Sequence, residues 1–576
     1  MPHSPKQPWQ QYLRLLAPEV PDLRTIVVYG AASAVLTLAV PLTVDALISN
    51  ITFGTLLTPL VVLVGILLGC LVMQGVLRAL QAWIAEVVER RIFIRVVSDL
   101  SWRLPRVDIR AFDRRHGPEY VNRFFDTMTV QKSSSKLFLE LTNVVLTTGV
   151  GLTVLSFYHP FLLVFAIALV VAIAILIFVF GIGGVRTAVA ESAAKFEVAA
   201  WLQELARNTT AFCTKGGAEF AAERADQLVT DYVSARRKHF RVLFRQICSS
   251  YGLQILASTA VLAIGGWLVI DQQLTAGQLV ASELIVTAVV SNITKLGMVL
   301  ETWYDVCAAS DKLGLLVDLP LERQTGEPLT HRVHGVAVHL DSVRCSISEN
   351  AELGNLHDLT LNVKPGERIA LTGAAGGDSS LLLDVLYGLR EPVSGHVTVD
   401  GLDFRQLRLD QTRDEFALVH GTEIVDASLI DNLRFGREHV SPDDVRDALV
   451  DVGLWQEIMA LPQGLETDLA TGGWPLTASQ ATRLMIARAI LGEPRLLLLD
   501  GPLDALTPSN RETVLKRLFD KRHQWTVLVA TNNPDVIAAC DRTFDCEAAP
   551  RELAPNGASP DGASNDGSNN GGEESR

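Results

Sequence analysis

The chain is poor in cysteine, and none of its cysteines forms a C-x-x-C pair. Seven thiols (Cys70, Cys213, Cys248, Cys307, Cys345, Cys540 and Cys546) are scattered over 576 residues. That spacing excludes a disulfide framework and a Cys-based zinc site, so the thiols are expected to be ordinary core residues. Positive charge is also short, with 50 Lys and Arg against 64 Asp and Glu and a net charge of -14. A general nucleic-acid binder is thereby excluded. A cleavable leader is not expected either. The first 24 residues are polar, carry Lys6, Arg14 and Arg24, and lack an apolar run.

What the chain has in quantity is uncharged apolar sequence. It is 48% hydrophobic, with a mean hydropathy of +0.26. At this length a single core is not expected, so two or more domains are. Six apolar stretches fill the first three hundred residues: Thr25–Ile48, Leu56–Trp83, Leu137–Phe157, Pro160–Ile182, Ser249–Ile270 and Leu279–Val299. Each is roughly the ~20 residues that a bilayer core requires. Glu283 interrupts the last one, which places it either in the bundle interior, beside a substrate cavity, or at the membrane interface. Residues 1–24 read as an amphipathic interfacial helix anchored by Trp9, Tyr12, Leu13 and Leu16.

The connections are lopsided. The first, third and fifth are short and hold no Lys or Arg. The second and fourth, about 84–136 and 183–247, are long and basic, with Arg90, Arg91, Arg95, Arg236, Arg237 and Lys238 among others. The positive-inside rule then puts both long connections and both termini in the cytoplasm. Their helical periodicity predicts pairs of helices of ~25 residues, projecting ~35–40 Å past the bilayer. Turn residues near Phe112–Glu119 and Asn208–Gly217 fit short transverse helices at the tips.

Past a linker with Pro320, Gly326 and Pro328, the composition changes to that of a soluble α/β domain. Glu367–Gly388 opens with an apolar strand, turns through Gly373, Gly376 and Gly377, and continues into a leucine-rich helix. Strand, glycine loop and helix is the frame of a phosphate-binding P-loop. The end of the G-x-x-x-x-G-K-[ST] pattern is changed, however, to Asp378, Ser379 and Ser380.

Together these features resemble one family, the half-size ATP-binding cassette (ABC) exporters, over about residues 10–546. Six spans with two long extensions are that family's membrane fold. Asp113, Gly117, Glu119, Arg123 and Asp126 look like its first intracellular turn, and Thr210 lies in the second. Leu274-Thr-Ala-Gly-Gln-Leu resembles the usual entry into the sixth helix. The cassette motifs follow in order, with most chemical positions altered. Val343-Arg344-Cys345-Ser346-Ile347 stands where an adenine-stacking aromatic is expected. Ser379 stands for the P-loop lysine, a loss of ~1.5–3 kcal/mol for a charge-assisted hydrogen bond. Gly421 stands for the metal- and water-contacting Gln, with His420 beside it read as an ordinary surface residue. Thr471 replaces the Glu expected to meet the intracellular turns. The signature is similar to L-S-G-G-Q and reads Leu476, Thr477, Ala478, Ser479 and Gln480. Asp500 matches the metal-directing aspartate of Walker B. Gly501 replaces the catalytic Glu, Asp504-Ala505-Leu506-Thr507 replaces S-A-L-D, and Asn532 replaces the γ-phosphate His.

The resemblance implies a membrane all-α six-helix domain with long cytoplasmic helical extensions, followed by an α/β P-loop NTPase domain. The expected order is 1–24 interfacial segment, 25–311 membrane domain, 312–334 linker, 335–547 cassette and 548–576 disordered tail. It further implies a multi-pass protein of a bacterial plasma membrane, in contact with lipid. The altered positions point to a pseudo-catalytic cassette with no intrinsic ATPase, paired with an intact half-size exporter subunit. ATP and Mg2+ would be bound mainly through that partner. The chain's own remnants would be Gly373, Gly376, Gly377, Ser379, Ser380 and Asp500, with Ser380 and Asp500 as a weak Mg2+ site. Two other readings stay open: a non-transporting membrane scaffold or regulator, and a divergent active homodimeric ATPase. The transported substrate is not legible.

Overall fold

The computed structural model describes residues 8–53, 57–113, 117–329, 334–346, 355–373, 377–520 and 522–546. Gly376, Ile347 and the tail from residue 548 lie outside them, as does the side chain of Glu119. The chain forms two compact units that meet between Leu321 and Glu322.

The first unit is all helix: α1 (Pro8–Leu16), α2 (Val20–Leu36), α3 (Ala39–Phe53), α4 (Leu57–Arg103), α5 (Gly117–Val121), α6 (Asp126–Tyr158), α7 (Pro160–Phe178), α8 (Gly184–Arg207), α9 (Thr209–Phe212), α10 (Lys215–Ile270) and α11 (Ala276–Val317). Among the described residues, six helical segments are long and apolar enough to cross a membrane. Large apolar residues line their outer faces, with Phe157 and Ile270 each 84% exposed, as a surface in contact with lipid tails requires. Three spans continue without a break into the long connections: α4 has 47 residues, α6 has 33 and α10 has 56. The short α9 falls where the second tip turn is expected, and Thr210 is exposed on it.

Four local expectations are corrected here. The first span is not one helix but breaks at Thr37–Leu38. Pro41 has no N–H to bond the Thr37 carbonyl, so the ladder is interrupted there. The sixth helix runs on to Val317, into the expected linker, because Leu313 and Leu316 are buried in the bundle. Of the four expected anchors in α1, Trp9 and Leu13 face outward. Tyr12 and Leu16 lie one turn apart on the opposite face and pack with Val88, Ile92 and Val306. Cys213 and Cys248 are exposed rather than core thiols. The entry to α11 follows its sequence: Thr275 caps the helix and Gln278 returns a bond to the Thr275 N–H. On α11, Glu283 holds one carboxylate oxygen away from solvent and without a hydrogen-bond partner among the described residues.

The second unit carries β1 (Val338–Ser346), β2 (Asn355–Val363), β3 (Arg368–Thr372), α12 (Gly377–Tyr387), β4 (Ser394–Val399), β5 (Leu402–Asp403), α13 (Leu409–Glu415), β6 (Phe416–His420), β7 (Ala427–Ser428), α14 (Leu429–Arg434), α15 (Pro442–Asp451), α16 (Trp455–Met459), β8 (Asp468–Leu469), α17 (Ala478–Ile490), β9 (Leu496–Asp500), α18 (Pro508–Leu518), β10 (Thr526–Ala530), α19 (Pro534–Ala539) and β11 (Arg542–Asp545). A five-stranded sheet in the order β11-β3-β10-β9-β6 forms its centre, every pairing parallel. Leu496–Leu499 and Val527–Val529 are fully buried, the continuous apolar pattern of strands covered on both faces. A four-stranded antiparallel sheet, β2-β1-β4-β5, lies beside it in sequence and shares an apolar core with β3 and α12.

Candidate functional site

In an open parallel sheet, the crevice beyond the carboxyl ends of the strands is where ligands bind. Here β3 ends at Thr372 and is followed by Gly373, β6 ends at His420, and β9 ends at Asp500. Asn532 follows β10 closely and donates its Nδ2–H to the Gly373 carbonyl at 3.2 Å. The four strand ends thus converge on one place.

Asp500 sits at its centre. The Ser380 hydroxyl donates to Asp500 Oδ1 at 2.7 Å. His420 Nδ1 meets Asp500 Oδ2 at 2.6 Å. His420 and Asp500 are direct neighbours in the β6–β9 register, which explains the contact. His420 is a surface residue as expected, 59% exposed, but it also belongs to the site. Its signal was the strand register, not its isolation. The Asp500 hydrogen bond raises the His420 pKa above its ordinary value, and Asp384 and Glu423 add to the effect. Asp384 lies in the same field, and its own carboxyl is pushed up by burial. A raised imidazole pKa means that the pair stabilises the fold fully below the unfolded value of ~6.5 and less as pH rises through the folded value. An NMR titration is expected to show His420 titrating above the ordinary imidazole value in the wild type. In Asp500→Asn it should fall back toward that value.

Two glycines mark where chemical side chains are missing. Gly501 has φ +72° and Gly421 has φ +68°, both in the left-handed region. Nothing lies within 4 Å of an added Cβ at either one, so space is present but the backbone disfavours a side chain. Asp504 turns back into its own chain and accepts from the Thr531 hydroxyl at 2.5 Å and the Asn532 N–H at 3.4 Å. Ser379 is buried, at 4% exposure. On β1, Val343 and Cys345 point into the core.

The signature segment forms a separate helix start. Thr477 caps α17, its hydroxyl accepting from Gln480 N–H at 3.3 Å. Gln480 Oε1 accepts from Thr477 N–H at 2.8 Å, and its Nε2–H donates to Glu457 at 2.8 Å. Arg483 holds Glu457 in turn and lowers its pKa. Both ends of Gln480 are thus engaged within this chain. What the 13-residue helix leaves free for an anion is its N-terminal backbone at Ala478 and Ser479. Asn510 donates to the Ser479 hydroxyl at 3.3 Å, which steadies that turn.

The donor set suits Mg2+ in part. A hydroxyl and a carboxylate lie together at Ser380 and Asp500, and the start of α12 supplies backbone N–H groups. The γ-phosphate cation is not replaced, since α12 carries no Lys or Arg.

Six membrane-length helices joined to a P-loop sheet, with a capped signature helix, define a membrane-bound cassette protein. Residues 23–293 match the ABC transporter transmembrane region, and residues 356–504 match the ABC transporter domain itself. Together the two take in most of the chain, which belongs to the ABC transporters as a half-transporter of the exporter type. An ATP-dependent lipid A-core flippase of Thiobacillus denitrificans is 30% identical over 237 residues, 41% of each chain. Another lipid A-core flippase, from Psychrobacter arcticus, is 26% identical over 337 residues, 57% of this chain and 55% of that one. The chain thus spans about half the length of these relatives. A bacterial Atm1-family ABC exporter solved with ATP bound shares the fold, with TM-score 0.76 at 20% identity over 92% of this chain and 93% of the other.

Proposed function

We propose that this chain is the non-hydrolysing half of a heterodimeric exporter. Its membrane helices form half of a transport pathway. Its signature helix α17 is presented to ATP bound on the P-loop of an intact partner subunit. Its own site holds ATP and Mg2+ weakly or not at all and acts as a structural hinge.

The observation that carries this reading is the closed state of Asp500. Both carboxylate oxygens are taken by side chains of the same chain, Ser380 and His420. The neighbouring position, Gly501, offers no base to activate water. By contrast, the N-terminus of α17 is capped and open, as a phosphate-binding helix start should be. The loss is therefore one-sided, which fits a paired machine better than an inert one.

The basic long connections support a plasma-membrane protein with both termini and the cassette in the cytoplasm. The flippase relatives and the near absence of charge in the spans favour an amphipathic or lipidic substrate. A pull-down from the native membrane is expected to recover a second half-transporter with P-loop Lys, catalytic Glu and His in place. Recovery of the chain only with itself, or with proteins that lack a cassette, would overturn the pairing.

A further inference from the structure

A second polar site lies in the helical unit. A cavity of about 210 Å3 opens between α6, α8, α10 and α11, lined by Asp126, Glu191, Lys195, His239 and Asp305 among others. It sits on the extensions: Asp126 precedes the apolar stretch that starts at Leu137, and Asp305 follows the one that ends at Val299. Small residues make the room, since Ala188, Ala308 and Ala309 face it.

The charges around it are unevenly matched. Asp126 is only 6% exposed, yet its Oδ2 has no hydrogen-bond partner among the described residues. Lys195 lines the same space and acts on both carboxylates by charge, but among the described residues no base is bonded to either one. Arg236 is held by Glu191 at 3.1 Å. Lys195 lies over the Phe196 ring at 5.5 Å. His239 Nδ1 is bonded to the Thr187 hydroxyl at 2.9 Å. Arg123 and Lys312 line a neighbouring cavity and reach Asp126 by charge alone. Two carboxylates, the buried Asp126 and the exposed Asp305, therefore face one space, and among the described residues neither forms an ion pair. A buried carboxylate without a partner is costly to hold, and a cation entering the space would relieve it.

The kind of cation follows from geometry. Among the described residues, no three His, Cys, Asp or Glu side chains come together closely enough to hold a metal ion. An alkylammonium or guanidinium carries several N–H donors and can bridge carboxylates that are farther apart. We propose that this cavity binds a compact organic cation, Asp126 and Asp305 accepting N–H donors from its ammonium or guanidinium group. The alanine wall accommodates the alkyl part.

The test is calorimetric titration of the purified full-length chain with agmatine, and separately with tetramethylammonium, which has no N–H. No nucleotide is present, so the outcome is independent of the heterodimer proposal. One saturable site for agmatine is expected in the wild type, with at least tenfold weaker tetramethylammonium binding. Asp126→Asn should weaken agmatine binding at least tenfold. Asp305 is exposed, so Asp305→Asn should fold normally and weaken binding severalfold. If Asp126→Asn does not fold, Asp305→Asn decides. Absence of saturable agmatine binding, unchanged affinity in the folded variants, or equal binding of tetramethylammonium would overturn the assignment.

Discussion

In a complex with its intact partner subunit, Ala478→Glu in this chain is expected to cut ATP hydrolysis by one to two orders of magnitude. Ser379→Ala in the same complex should leave the rate within about twofold. The reasoning begins at the start of α17, where Ala478 is the first helical residue and is exposed. A carboxylate there favours the helix itself, by ~0.3–1 kcal/mol, because it meets the positive end of the dipole. The variant should therefore fold at least as well as the wild type. Toward a phosphate its effect is opposite. It places negative charge where the backbone N–H groups would meet an anion, and losing one charge-assisted bond of ~1.5–3 kcal/mol corresponds to roughly a 10- to 150-fold change. Stability and activity would then move in opposite directions, which a merely structural role for α17 does not allow. Ser379 is buried and carries no charge, so removing its hydroxyl takes nothing from a turnover performed on the other chain's P-loop. Steady-state ATPase of the two variant complexes, with melting temperatures alongside, checks both halves.

The second large effect concerns the chain's own site. Gly501→Glu alone is expected to give no measurable hydrolysis, even though it restores the residue type of a general base. Such a base is typically worth ~10²–10⁴-fold in rate. Gly501 holds φ +72°, a left-handed conformation that costs a residue with a Cβ roughly 1–2 kcal/mol. The same holds at Gly421, with φ +68°. The new carboxylate would also meet an Asp500 already tied to Ser380 and His420. Restoring activity requires Ser379→Lys, Gly421→Gln, Gly501→Glu and Asn532→His together. That quadruple variant should hydrolyse ATP at least tenfold faster than the wild-type chain, while each single variant stays at background. A phosphate-release assay on the purified variants would show the difference. Full activity from Gly501→Glu alone would mean that the left-handed backbone is not the barrier described here.

Much of this architecture was legible from residue order. The six spans follow from the length of uncharged runs, and the entry to α11 follows from Thr275 and Gln278 at capping-box spacing. The P-loop frame was visible in Glu367–Gly388 because a strand, a glycine turn and a helix leave a local pattern. What was not legible depended on contacts between distant segments. His420 joins Asp500 because two parallel strands bring together residues 80 positions apart. Asp504 looked like one more altered motif, and only the fold shows it fastened to Thr531 and Asn532. The left-handed conformation of Gly501 cannot be deduced from its identity, since glycine also adopts ordinary angles. The sequence marks Gln480 as a retained signature residue, and the fold shows its side chain spent on the α17 cap and on Glu457. The free chemistry of the signature is therefore its backbone. In the helical unit, the inward turn of Tyr12 and Leu16 was present in their four-residue spacing. Deciding which face of α1 met the bundle needed the packing itself.

The central claim is that this cassette does not hydrolyse ATP on its own P-loop. It is tested most directly by the Mg2+-ATPase rate of the purified full-length chain, measured without a partner beside its Asp500→Asn variant. The account predicts background rates for both, with no difference between them. Robust turnover by the wild-type chain that Asp500→Asn abolishes would contradict it.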